Sequence, residues 1–152
     1  TIFLDEIGEM DLGLQAKILR VLQEKEITRI GSNKTIKLDF RLIAATNRNL
    51  AQEVKEGRFR EDLFYRIQGF LIHLPPLHDR GDDIIMLAKS FLHDFCQQNR
   101  MEQMIISKEA CQFMLDYAWP GNIRELKAVI ERAALMAENN TISVEDLTFV
   151  TA

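Results

Sequence analysis

Apolar and polar positions follow two regimes along this chain. As far as Leu74, short apolar runs alternate with helical stretches; beyond Pro76 the spacing is helical throughout. Ile2-Phe3-Leu4 is a continuous apolar run that stops at Asp5-Glu6, the pattern of a strand buried on both faces of a parallel sheet. From Asp11, the residues Leu14, Ile18, Val21 and Leu22 fall on one face of a helix, with Lys17, Arg20 and Glu24 elsewhere. Ile27 to Ile30 and Thr35 to Leu38 flank Gly31-Ser32-Asn33 and predict a hairpin. Phe40 to Ala45 reads as a second core strand, ended by Thr46-Asn47. Leu50, Val54 and the stop at Gly57 predict a short helix, and Glu61 to Ile67 another.

Phe70 to Leu74 reads as a third strand, closed by Pro75-Pro76, which cannot donate ladder hydrogen bonds. The boundary between two lobes, 1–76 and 77–152, is placed there. In the second lobe Ile84, Leu87, Ala88, Phe91, Leu92 and Phe95 form a stripe behind the acidic start Asp82-Asp83. Ser107 caps a helix with Ala110, Cys111, Met114 and Leu115. Trp119-Pro120-Gly121 breaks it, and Asn122 is placed to cap a helix with Leu126, Val129, Ile130, Ala133 and Ala137. Ser143-Val144-Glu145-Asp146 predicts a final short helix. The fold class is therefore α/β, a parallel-sheet lobe followed by an all-helical one.

Composition narrows the picture. With 152 residues, 47% of them hydrophobic, the chain can fill a core and is not disordered. Nineteen basic against 23 acidic side chains give a net charge of -4, so no global positive field holds nucleic acid. Two cysteines without CxxC spacing do not make a disulfide framework and point to a reducing cytoplasm. No apolar run approaches the roughly 20 residues of a membrane span. The chain starts without Met, directly in a strand-like run, and reads as a segment of a longer protein.

Several residues could carry chemistry. Adjacent carboxylates at a strand's carboxyl end, Asp5 and Glu6, suit phosphoryl transfer, one serving a hydrated magnesium ion and the other the attacking water. They could equally solvate a loop. Thr46 and Asn47 end the neighbouring strand and could reach the same phosphate, or bond their own backbone. Arg60 and Arg66 could meet phosphate charge as planar guanidinium groups, or the arginines of this stretch could form surface ion pairs with Glu56, Glu61 and Asp62. Arg124 lies in the first turn of a helix, where orphan N–H groups already favour an anion. It could also pair with Glu125 or Glu131. His73, His78, His93, Cys96 and Cys111 lack the number and spacing of a zinc site.

Five motifs occur in order: Thr1-Ile2-Phe3-Leu4-Asp5-Glu6-Ile7-Gly8-Glu9, Ile43-Ala44-Ala45-Thr46-Asn47, Gly57-Arg58-Phe59-Arg60-Glu61-Asp62-Leu63, Leu74-Pro75-Pro76-Leu77 and Trp119-Pro120-Gly121-Asn122-Ile123-Arg124-Glu125-Leu126. Together they resemble the AAA+ domain of bacterial enhancer-binding proteins, the NtrC-type activators of sigma-54 RNA polymerase. The resemblance implies the C-terminal half of a AAA+ α/β lobe followed by its helical lid. It makes Asp5 and Glu6 the Walker B pair, with Asp5 serving Mg2+ and Glu6 the hydrolytic water. Thr46 and Asn47 become sensor I, Arg60 and Arg66 arginine fingers that reach a neighbour's nucleotide, and Arg124 sensor II.

It further implies ATP as cofactor, a hexameric or heptameric ring, remodelling of the sigma-54 RNA polymerase closed complex, and promoter-distal DNA bound through a separate C-terminal domain. Neither GxxxxGK[ST] nor GAFTGA occurs in the 152 residues; the resemblance puts both upstream of Thr1. These residues alone are therefore expected to hydrolyse nothing. His78-Asp79 stands where the family commonly has arginine and glutamate. The alternative from another class is a non-enzymatic interaction module built on the same fold.

Overall fold

The structure is a computed structural model that describes residues 1–29, 31 and 34–148. The chain divides into two compact units, Thr1–Ile72 and His73–Ala152.

In the first unit β1 (Ile2–Leu4) is followed by a 3-10 turn over Ile7–Glu9, α1 (Leu12–Glu24), β2 (Glu26–Thr28), β3 (Thr35–Lys37), β4 (Leu42–Ala44), α2 (Leu50–Lys55) and α3 (Glu61–Ile67). β1 and β4 pair in parallel, with Ile2 beside Leu42, Phe3 beside Ile43 and Leu4 beside Ala44. β2 and β3 form the antiparallel hairpin; of its expected turn, Gly31 has φ 78° and Ile30, Ser32 and Asn33 lie outside the described residues. Asp11 caps α1 by accepting from the Leu14 N–H at 2.9 Å.

The expected residues of α1 share one face, but that face is incompletely covered. Gln15 and Leu19 are its buried residues, and Leu14 is 41% exposed. Leu14, Ile18, Val21 and Leu22 instead line an apolar groove of about 290 Å³ with Ile2, Leu4, Phe40 and Leu42. A sheet of two strands covers too little of the helix to close over its stripe. The fully covered core is made of Ile7, Leu19, Phe59 and Leu63.

The expected strand at Phe70 to Leu74 is absent. Phe70 and Leu71 are 92% and 85% exposed and no ladder bonds form there. A strand exists only against a partner, and among the described residues none runs beside this segment.

The second unit opens with a 3-10 turn over Leu77–Arg80 and continues as α4 (Asp83–Asn99), β5 (Ile105–Ile106), α5 (Lys108–Asp116), α6 (Asn122–Met136) and β6 (Thr141–Ile142). Ile84, Ala88, Leu92 and Cys96 of α4 pack with Met114, Trp119, Leu126 and Ile130 in a continuous core. The periodicity did not reveal the two-residue parallel bridge between β5 and β6. Ser107 caps α5, accepting from the Ala110 N–H at 3.1 Å.

Two local expectations are corrected. Asn122 does not cap α6. Gly121 occupies that position, and the Asn122 Oδ1 accepts instead from the buried Leu77 N–H at 2.8 Å. After Ser143 there is a turn, not a helix: Asp146 Oδ2 accepts from both the Ser143 N–H and its hydroxyl, at 2.8 Å each, which closes the chain on itself.

Candidate functional site

Parallel pairing decides which side chains meet in the first unit. The Ala45 N–H donates to the Leu4 carbonyl at 2.9 Å and the Ile7 N–H to the Ala45 carbonyl at 3.0 Å, so the two strands end side by side. Asp5-Glu6 leaves β1 where Thr46-Asn47 leaves β4. The Asp5 Oδ1 accepts the Glu6 N–H at 2.9 Å. Glu6 lies in the left-handed region (φ 50°, ψ 41°), which turns the chain sharply into the 3-10 turn. Thr46 Oγ1 accepts the Arg48 N–H at 3.1 Å. Gly8 lets this loop approach, because a Cβ there would stand 2.7 Å from Thr46 Oγ1. The side chains of Glu6 and Asn47 are exposed and make no hydrogen bond among the described residues.

Arg60 and Arg66 lie elsewhere, before α3 and in its last turn. Arg60 forks onto Asp62, Nε to Oδ1 at 3.0 Å and Nη2 to Oδ2 at 2.6 Å. That contact raises the guanidinium's pKa and holds the Asp62 carboxyl below its usual range. Arg66 Nη2 donates to the Leu22 carbonyl at 3.0 Å, satisfying an orphan acceptor in the last turn of α1. Neither guanidinium bonds Asp5, Glu6, Thr46 or Asn47.

Sequence reasoning passed over two groups that brace these segments. Glu53, 7% exposed, accepts from Arg58 Nε and Nη2 at 2.7 and 2.8 Å and from Arg48 Nη1 at 3.1 Å. Arg48 also holds Glu9 through Nε at 2.6 Å, and Arg58 pairs with Glu56. The Arg58 contact above all pulls the Glu53 carboxyl down to about 2. The second is Gln15, fully buried, whose Nε2 donates to the carbonyls of Met10 (2.7 Å) and Arg58 (3.0 Å) while its Oε1 accepts the Arg60 N–H (2.8 Å). Its only sequence signal was an amide one position away from the apolar stripe.

In the second unit Arg124 lies in the first turn of α6, exposed and without a side-chain partner among the described residues. It lines a groove of about 630 Å³ together with Pro75, Leu77, Arg80, Gly121 and Ile123. Arg80 Nε donates to the Pro75 carbonyl at 3.1 Å. The helix entry is held firmly: Glu125 accepts the Gly121 N–H (2.8 Å) and the Tyr117 hydroxyl (3.1 Å), and the buried Trp119 donates Nε1–H to the Met114 carbonyl (2.8 Å). A cationic side chain beside unpaired helix N–H groups can receive an anion.

The soft ligands are scattered. His93 bonds Gln103 and Gln97, Cys96 is in the core, and His78 lies beside Asp79. No group of three His, Cys, Asp or Glu among the described residues could hold a metal, and no described helix is long and apolar enough to cross a membrane.

Comparison with known proteins now decides the family. Residues 1–73 match the sigma-54 interaction domain and residues 78–151 the AAA+ ATPase lid domain. The chain belongs to the AAA+ domains of sigma-54-dependent activators. Regulatory protein AtoC of Escherichia coli is 54% identical over 147 residues, 97% of this chain and 32% of that protein. Nitrogen fixation protein VnfA of Azotobacter vinelandii is 54% identical over 142 residues, 93% of this chain and 27% of that protein. The chain thus spans about a third or less of the length of these relatives. NtrX from Brucella abortus, solved in complex with ATP, superposes with a TM-score of 0.88 at 33% identity, over 96% of this chain and 35% of that one. An ADP complex of the same protein gives the same TM-score. The α/β architecture of this AAA+ segment, with its helical lid, is that of NtrX.

Proposed function

We propose that the full-length protein carrying this chain is an ATP-hydrolysing activator that remodels the sigma-54 RNA polymerase closed complex. The observation that carries the reading is the parallel register that ends β1 and β4 together, bringing Asp5, Glu6, Thr46 and Asn47 to one edge of the sheet. Carboxyl ends of parallel strands are where α/β sheets bind ligands. NtrX, solved with ATP and with ADP, supports the same ligand class.

The residues fit ATP and Mg2+. Asp5 has one carboxylate oxygen uncommitted and Glu6 both, which suits a hydrated hard cation and a water molecule. When bound, ATP supplies the phosphoryl group and Mg2+ offsets its charge. Asp5 holds the hydrated ion, Glu6 takes a proton from water, and Thr46 and Asn47 orient that water and the terminal phosphate. Arg124 reads the phosphate from the lid. Arg60 and Arg66 act across a subunit boundary in a six- or seven-membered ring, with Arg60 first leaving Asp62. DNA contact belongs to a domain outside these residues, in keeping with the net charge of -4. The reading places the protein in the cytoplasm, and the 152 residues alone, without GxxxxGK[ST], turn over no ATP.

Glu6→Gln in the full-length protein tests this. Removing a general base lowers turnover by about 10² to 10⁴-fold while ATP still binds. Absence of turnover in the unsubstituted full-length protein would favour a non-enzymatic interaction module, and turnover unchanged by the substitution would remove Glu6 from the role of base.

A further inference from the structure

Gln15 is a fully buried polar side chain whose amide is spent on three backbone groups from two distant segments. One is the Met10 carbonyl, at the end of the turn that follows Glu6; the others are the Arg58 carbonyl and the Arg60 N–H, on either side of Phe59. We propose that Gln15 is a positioning residue for Arg60, coupling the backbone that presents this arginine to the turn that carries Glu6. The proposal rests on the reading of Arg60 as a group that serves a neighbouring subunit.

The geometry favours coupling over simple filling. Both donors and the acceptor of one planar amide are used, so the Arg58–Arg60 step cannot shift without breaking bonds to a side chain that itself has no contact with solvent. Arg60 then opens α3 directly, its carbonyl accepting the Phe64 N–H at 3.0 Å. Its guanidinium stays adjustable, because the ion pair with Asp62 is half exposed and readily exchanged. The backbone is thus fixed and the charged end is free to reach. The same helix α1 holds Arg66 through the Leu22 carbonyl, so both arginines are referenced to the element that follows the acidic pair.

Subunit mixing in the full-length protein separates the possibilities. Gln15→Met keeps the length of the side chain and removes the hydrogen bonds. Alone, it lowers turnover about 10²-fold, the cost of misplacing a reacting group by about 1 Å, with ATP affinity unchanged. Mixed one to one with Glu6→Gln, it recovers about a quarter of wild-type turnover, the share of interfaces in a randomly mixed ring that join a sound pocket to a sound arginine. Mixed with Arg60→Ala, it recovers nothing. Recovery with Arg60→Ala instead would show that Gln15 serves its own pocket, and recovery with neither would show a merely structural role; either overturns the proposal.

The pair Arg60→Ala with Glu6→Gln is the control. If that pair fails to recover, the reading of Arg60 falls and this proposal with it; if it recovers and the Gln15→Met pair with Glu6→Gln does not, only this proposal falls. Amide hydrogen exchange of the wild-type protein needs no variant to fold. A slowly exchanging Arg60 amide is expected, and exchange as fast as an open loop overturns the coupling.

Discussion

Glu53 keeps little contact with solvent while gathering two guanidinium groups, and its carboxyl is drawn down from an ordinary 4.5 to about 2, chiefly by Arg58. A carboxyl with a lower pKa in the folded state stabilises the fold above its unfolded value, and that contribution fades as pH falls from about 4.5 towards 2. Glu53→Gln should therefore lower the melting temperature at neutral pH, and the gap to wild type should close across that window. Parallel melts between pH 2 and 7 would read it; a gap independent of pH would show that the charge of Glu53 is not what matters. Residues of this kind were illegible beforehand for a physical reason. Glu53 and Arg58 lie five apart, off the helical neighbour spacing, and Gln15 meets groups 43 and 45 positions away that no local pattern connects. Asp5, Glu6, Thr46 and Asn47 could be read because each closes an apolar run, and the runs themselves predicted adjacent strands.

Among the elements, helices with a capping side chain and a periodic face were found close to their ends, as α1 behind Asp11 and α5 behind Ser107 show. Where a polar residue had a distant use, the reading went astray: Asn122 lies one residue past the cap position of α6 and holds the Leu77 N–H. The two cases predict different costs. Asp11→Ala removes an exposed cap and should cost about 1 kcal/mol. Asn122→Gly tolerates the local φ of 51° yet leaves a buried N–H without its partner, which should cost about 1 to 3 kcal/mol. Denaturant titration of each variant checks the order, and an Asn122→Gly loss no larger than that of Asp11→Ala would mean the Leu77 bond is easily replaced. Phe70 to Leu74 failed for another reason. An apolar β-rich run specifies a strand's side chains and leaves its hydrogen-bond partner unspecified.

At the scale of the molecule the two units are unequally equipped. Sixteen apolar residues form the covered core of the second, against four in the first among the described residues. The first also exposes Phe3, Ile43 and Phe70, and its strands form two separate sheets of two strands each among the described residues. Residues 73–152 expressed alone should give a helical circular dichroism spectrum and a cooperative melt, whereas residues 1–72 alone should not, since so small a core cannot offset chain entropy. A cooperative melt of 1–72 would contradict this. The placement of Trp119 then has an optical side. It is the only tryptophan in the chain, and it is buried in the core of the second unit. Indole emission from this chain is thus a local gauge: a blue-shifted signal certifies the helices around Trp119 and carries no direct report of the strand ends at Asp5 and Glu6.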